Sequence, residues 1–196
     1  MLKLHAPWRR LLVAVPALCL LGLLGLGTAA DAAPFMLRDD RGTEHRFDAP
    51  PRRIVTLLPS LTESLAVLGG SPRLVGVDRY SNWPPDLAAL PRLGGLDDAL
   101  IEAIATLKPD VVLASTSARS IDRLEALGFK VLRLKSETHA DVWRTLTLLG
   151  QLLGTPDEGE RVWARVQREI AAAAQRVPTS LKGQRVYFES GGGPDA

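Results

Sequence analysis

The side chains best equipped for chemistry in this 196-residue chain are dispersed rather than clustered. His45 and His139 are far apart, and the one cysteine, Cys19, lies in the apolar leader. That leaves no recognisable metal constellation. Ser115-Thr116-Ser117-Ala118-Arg119 brings three hydroxyls beside a guanidinium. Arg119 can meet a propionate, phosphate or carboxylate bidentately, or stand solvated at a helix start. Tyr80-Ser81-Asn82-Trp83-Pro84 places two aromatic rings in one short loop. The signatures of catalysis are missing: no Gly-x-Gly-x-x-Gly follows the apolar run 54–58, and neither a Walker loop nor a Gly-x-Ser-x-Gly elbow occurs. Gly191-Gly192-Gly193 falls too near the terminus to cradle a phosphate at a helix start. These residue types suit holding a solute better than transforming one, so an α/β enzyme is the rival class rather than the main reading.

The elements that must carry these residues alternate. Short extended segments at 35–37 and 45–47 flank Asp39-Asp40-Arg41-Gly42, a turn signal, before Ala49-Pro50-Pro51 interrupts regular structure. Strands are expected at 54–58, 74–77, 111–114 and 130–134. Between them, Ser60 and Glu63 read as a capping box for a helix carrying Leu61, Leu65 and Leu68, ended by Gly69-Gly70. Asp97 or Asp98 can cap a helix turning Leu100, Ile101, Ile104 and Leu107 inward. Ile121, Leu124 and Leu127 mark one helix face closed by Gly128, and Val142, Leu146, Leu149 and Leu153 another closed by Gly154. His139 belongs to a helix start at 137–141. Alternation of this kind predicts an α/β parallel sheet with helices on both faces. Ligands of such sheets sit beyond the carboxyl ends of the strands. That places Pro59-Ser60, residues 78–85 and residues 115–119 around one rim.

Thr155 and Glu158 read as a second capping box, with Pro156 at the first helical position. Val162, Val166, Ile170, Ala173 and Val177 continue one stripe, a rod of about 30 Å. A fresh strand is expected at 185–188.

Export is expected from the first 32 residues. Lys3, Arg9 and Arg10 precede an uncharged apolar run at 11–26, and small residues at 28–32 suit a signal peptidase. The run is short for a membrane span of about 20 residues. Leu18 before Cys19, inside the apolar run, argues against a lipid anchor. Cleavage after Ala32 removes the only cysteine and takes 24 basic against 22 acidic residues to 21 against 21. No basic footprint for nucleic acid remains.

Pro51-Arg52-Arg53-Ile54-Val55, Pro59-Ser60-Leu61-Thr62-Glu63 and Leu74-Val75-Gly76-Val77-Asp78, taken in order, resemble the opening of a family. It is the cobalamin, haem and ferric-siderophore binding proteins of ABC importers. Tyr80-Ser81-Asn82-Trp83-Pro84 is similar to the Tyr-Ser-x-Tyr-Pro loop of its vitamin B12-binding members, and 102–112 to its most recognisable stretch. The resemblance runs from Arg52 to about Pro194. It implies two α/β lobes joined by one rigid helix with ligand between them. On that pattern residues 1–32 are a signal peptide and 33–51 an extended N-terminal segment. Residues 52–154 form the first lobe, 155–178 the connecting helix, and 179–196 the start of an incomplete second lobe. About a hundred residues would then be absent, which favours a fragment over a complete single-lobed receptor.

The same resemblance implies roles. Tyr80 matches the tyrosine that faces the corrinoid. Trp83 takes the loop's second aromatic position, where it either lines the pocket or staples the loop. Two further pocket tryptophans are not matched: Leu93 or Gly94 stands at one and Ser115 at the other, which opens the ligand class. Ser60, Gly94, Ser115 and Arg119 complete the expected ligand rim. Glu102 matches a glutamate that docks on arginines of the membrane permease, which also allows an adaptor engaging the permease without ligand. The implied ligand is cobalamin. Haem is the alternative, with Tyr80 as the candidate iron ligand, as is a ferric siderophore, with Arg79 and Arg119 as its candidate contacts. No resident cofactor and no protein-bound metal are expected.

Overall fold

In the computed structural model, residues 33–185 are described. The expected signal peptide at 1–32 and most of the strand expected at 185–188 lie outside them. The chain opens with an antiparallel hairpin of β1 (Phe35–Arg38) and β2 (Glu44–Phe47). Its turn is tied by the Asp39 carboxylate, which accepts the N–H groups of Arg41 and Thr43 at 3.0 and 2.9 Å, the Asx-type bonding that favours Asp here.

The rest is the predicted alternation. β3 (Ile54–Thr56), β4 (Leu74–Val77), β5 (Val111–Ser115) and β6 (Val131–Leu134) form one parallel sheet in the order β4-β3-β5-β6. Successive residues of β5 and β6 alternate between two apolar clusters, as a pleated strand requires. Ile54, Val111, Leu113, Leu132 and Leu134 face α1 (Pro59–Val67), α4 (His139–Leu153) and the start of α5 (Pro156–Gln175). Val55, Val112, Ala114 and Val131 face α2 (Ile101–Thr106) and α3 (Asp122–Ala126). The sheet is thus covered on both sides, and its strands read as continuous hydrophobic runs for that reason. The helix-closing glycines 69, 128 and 154 all adopt positive φ.

Several local expectations differ from the structure. α1 begins two residues early, with Pro59 at its first position and Leu58 as the flanking residue, so Ser60 caps nothing. Proline suits that position because its missing N–H has no helical partner to lose. Thr155 flanks α5 without a side-chain cap, and Glu158 binds Arg161 instead, at 2.7 Å. α2 begins at Ile101 after Leu100, and Asp98 is engaged elsewhere. Leu100 and Leu127, expected inside, are 50% and 56% exposed. On α5 only Val162 and Gly159 are buried, while Ile170 on the helix and Val177 just beyond its end stand out, because no described element lies against that stretch.

α4 opens with a complete capping box between Thr138 and Asp141. Asp141 also pairs with Arg144 at 2.8 Å. The Arg144 hydrogen bond, followed by that of Thr138, holds the Asp141 carboxyl at about 2 against 3.8 ordinarily. A carboxyl lowered by folding stabilises fully above its unfolded value and loses that contribution as pH falls through its folded one. Stability is therefore expected to decline from pH 4 towards pH 2. Asp141→Asn is expected to flatten that decline in acid denaturation followed by circular dichroism. An unchanged acid limb would remove Asp141 from the explanation.

Candidate functional site

Because the four strands are parallel, their carboxyl ends share one edge, and the turns leaving them form the rim. β3 leads into Pro59 and Ser60 of α1, β4 into the 78–85 loop, β5 ends at Ser115, and β6 leads to Ser136. Ser60 is exposed, and its hydroxyl lies 3.3 Å from that of Ser136, joining the turns after β3 and β6.

The 78–85 loop is fastened from below. Asp78, 1% exposed, accepts the Tyr80 N–H at 2.8 Å and the Ser81 hydroxyl. Ser81 Oγ lies 2.7 Å from Thr62 Oγ1 of α1, which lies 2.7 Å from Thr56 Oγ1 of β3. Arg92 donates to the Ser81 carbonyl. With its backbone so held, Tyr80 presents a ring that is 65% exposed. The Arg79 guanidinium lies 5.8 Å from the ring centroid, a cation–π distance, and pairs with Asp98. A side chain on Gly95 would start 3.4 Å from Tyr80 Cε2, so the ring borders that backbone. Asp98 also accepts the Gly95 N–H at 2.8 Å. That bond is the main reason its carboxyl is held below the usual carboxylate range, with Arg79 adding to it.

Gly94 is buried with φ +87°, and its carbonyl accepts the Arg79 N–H at 2.7 Å. Its contribution is to shape the backbone beneath Tyr80. Leu93, the alternative at that position, is 1% exposed and belongs to the core.

Ser115 closes β5 and bonds the Ser117 hydroxyl at 2.8 Å. Arg119 is exposed and forms no ion pair among the described residues. The loop carrying it is tied to the sheet by Arg133 of β6, which is fully buried and donates to the Ala118 carbonyl, to Asp122 at 2.5 Å and to Glu125 at 2.9 Å. Burial by itself lowers the pKa of that guanidinium, and the hydrogen bonds of Glu125 and Asp122 outweigh it, so it is raised overall.

Trp83 lines a different surface. It borders an open groove of about 450 Å³ with Val67 of α1, Val142 and Leu146 of α4, and Val162 and Val166 of α5. None of Tyr80, Ser115 or Arg119 lines that groove. Glu102 stands on α2 with its side chain 77% exposed, 3.1 Å from Arg123. His45 bonds Asp39 at 3.3 Å, and His139 meets Trp163 edge-on at 6.4 Å. Among the described residues no group of three or more His, Cys, Asp or Glu side chains is placed to hold a metal.

Sequence reasoning missed the clamp formed by Arg79, Gly95 and Asp98. It also missed the buried Asp78, although Asp followed three residues later by Ser at a strand end is a recognisable turn pattern.

Comparison with known proteins places this geometry in a family. The periplasmic binding protein family profile matches residues 54–194. A cobalamin-binding protein of Halobacterium salinarum is 31% identical over 162 residues, 79% of this chain and 44% of that protein. A periplasmic haem-binding protein from Pseudomonas aeruginosa superposes with a TM-score of 0.61 at 29% identity, over 64% of this chain and 46% of that one. The periplasmic vitamin B12-binding protein of Vibrio cholerae gives 0.58 at 27%, over 65% and 51%. This chain spans about half the length of these relatives. All three are named for binding a ligand. A parallel sheet covered on both faces, a rim of turns at its carboxyl edge and a family match across most of its length make this chain a member of the periplasmic binding protein family.

Proposed function

We propose that this chain is the solute-capturing component of an ABC import system, exported to the periplasm, and that it holds a corrinoid against Tyr80. The observation that carries the reading is a largely exposed aromatic ring on a loop fastened by buried polar groups at the carboxyl edge of the sheet. Such a ring offers a flat macrocycle wide contact with little rotamer entropy to lose, and its hydroxyl can bond a side amide. Ser60, Ser115 and Arg119 supply the polar part of the rim, with Gly94 shaping its floor. Trp83 borders the helix groove, which favours its role as a staple between the loop and α1, α4 and α5 over a ligand contact. Glu102 is the candidate for docking on the permease. Its partner Arg123 is 67% exposed, so the pair is solvated and can exchange for arginines of another protein.

Haem is the second reading, favoured by Arg79 beside the Tyr80 ring, where a cation suits a propionate next to a tyrosine facing iron. Calorimetric titration of the purified chain with cyanocobalamin and, separately, haemin separates the two. Saturable cyanocobalamin binding is expected, weakened at least about tenfold, or about 1.4 kcal/mol, by Tyr80→Ala. Binding of haemin alone would move the assignment to haem. Silence towards both in a folded sample would end the reading of this chain as a receptor by itself.

A further inference from the structure

We propose that Asp78 is a positioning residue for Tyr80, held in place by a one-way chain of buried hydroxyls that begins inside the sheet. The inference rests on the reading of Tyr80 as a ligand contact, and it adds the means by which the fold prepares that contact.

The direction of the chain follows from counting protons. An ionised carboxylate only accepts hydrogen bonds, and each hydroxyl has a single proton to give. Asp78 takes the Tyr80 N–H on Oδ1 and the Ser81 hydroxyl on Oδ2. With its proton committed to Asp78, Ser81 must receive the proton of Thr62 across their 2.7 Å contact. Thr62 in turn receives that of Thr56 across another 2.7 Å contact. The contact from Thr62 to the Leu58 carbonyl is longer, at 3.2 Å, as expected for the place where no proton is left over. The order Thr56, Thr62, Ser81, Asp78 supplies a proton at each hydroxyl contact. Bonds polarised in one direction reinforce one another.

The chain joins three elements: β3 through Thr56, α1 through Thr62, and the loop after β4 through Ser81 and Asp78. All four residues are at most 2% exposed. Burying a carboxylate and three hydroxyls is costly wherever apolar packing would serve. What the network grips is the backbone on both sides of one exposed ring. Asp78 holds the Tyr80 amide, and the Ser81 carbonyl is held by Arg92. A ligand meeting Tyr80 therefore finds its backbone already ordered, and preorganisation of this kind raises affinity by lowering the ordering cost.

Tyr80 can be observed without any ligand. The chain has two tyrosines, so 3-fluorotyrosine labelling in a Tyr187→Phe background leaves Tyr80 as the one reporter. Asp78→Ala is expected to broaden the fluorine resonance and move it towards the free amino acid, in a chain that keeps its circular dichroism. Asp78→Asn retains an oxygen for the Tyr80 N–H but turns a donor towards Ser81, so it is expected to fall between the native position and that of Asp78→Ala. Thr62→Val, which cuts the chain midway and leaves the carboxylate, is expected to move the resonance part of the way. It also serves if Asp78→Ala does not fold. With whichever of cyanocobalamin and haemin binds, Asp78→Ala is expected to weaken binding about tenfold, and hardly further in a Tyr80→Ala background, because residues acting through one another are not additive. An unmoved resonance in folded Asp78→Ala would overturn the proposal. So would an Asp78→Asn shift as large as that of Asp78→Ala, or losses that simply add. If neither ligand binds, the reading of Tyr80 fails while the fluorine measurement still decides Asp78.

Discussion

Arg133→Ala is expected to lower the unfolding free energy by about 3 kcal/mol, at the lower end of the range for breaking a buried ion pair. The guanidinium is completely enclosed and makes three bonds, to the Ala118 carbonyl, Asp122 and Glu125. Its removal leaves a void in the α2 and α3 face of the sheet and takes the donor from the carbonyl of a residue only 2% exposed. The two carboxylates limit the loss. Asp122 and Glu125 are 61% and 38% exposed, so water can solvate them once the arginine has gone. Arg133→Met fills most of the void and leaves mainly the unpaired carbonyl, a cost of about 1–2 kcal/mol. In denaturant titrations the expected order is therefore wild type, Met, Ala. An alanine variant no weaker than Arg165→Ala on the exposed face of α5 would show that the buried arginine carries no net stability.

Gly94→Ala is expected to be the most damaging single-methyl change near Tyr80. At φ +87° any other residue pays about 1–2 kcal/mol for the left-handed conformation. The added carbon would also lie 2.2 Å from the Asp98 carbonyl oxygen and 3.1 Å from Ala99 Cα. Those are backbone atoms, which cannot swing aside as the end of a flexible side chain does. Overpacking of this kind adds about 1–3 kcal/mol. The combined loss corresponds to a melting temperature lower by on the order of 10 °C. Gly128 is the control, because its φ is +86° and nothing lies within 4 Å of the position a side chain would take. Gly128→Ala should show the conformational cost alone. The difference between the two variants measures the clash, and equal melting temperatures would mean that the loop yields freely. Since the Gly94 carbonyl holds the Arg79 N–H, Gly94→Ala should also move the Tyr80 fluorine resonance, which Gly128→Ala should leave in place.

Much of the architecture was legible locally. The runs at 54–58, 74–77 and 111–114 are apolar at nearly every position, as strands buried on both faces require, and 130–134 keeps three apolar residues around Lys130 and Arg133. They appear as the four parallel strands. The helix stripes of α1 and α4 fell on buried positions because their leucines recur at helical spacing against a sheet that exists. Where the reading failed, the partner came from elsewhere in the chain. Asp98 looked like a helix cap and instead serves Gly95 and Arg79. Leu127 continued the helical stripe of α3 but projects past the edge of the α2 and α3 core. The α5 stripe has the period of a buried face, yet period says nothing about whether a second surface is there to cover it.

By itself the sequence determined the fold class and the rim, because hydrophobic period, strand composition and glycine punctuation are properties of neighbouring residues. It also put Tyr80 and Trp83 on one loop. The tertiary structure alone decided that the two rings serve different surfaces, one above Gly95 and Arg79, the other over a helix groove. It alone decided that Arg133, a charged residue within a strand, is the largest fully buried side chain among the described residues, since its acceptors at 118, 122 and 125 become neighbours only when α3 folds onto β6. The same holds for Asp78, whose partner Ser81 is joined to hydroxyls on a helix and a strand that precede it in the chain. Burying a charge or a hydroxyl is tolerated only when donors and acceptors converge in space, and that convergence is absent from any local stretch of sequence.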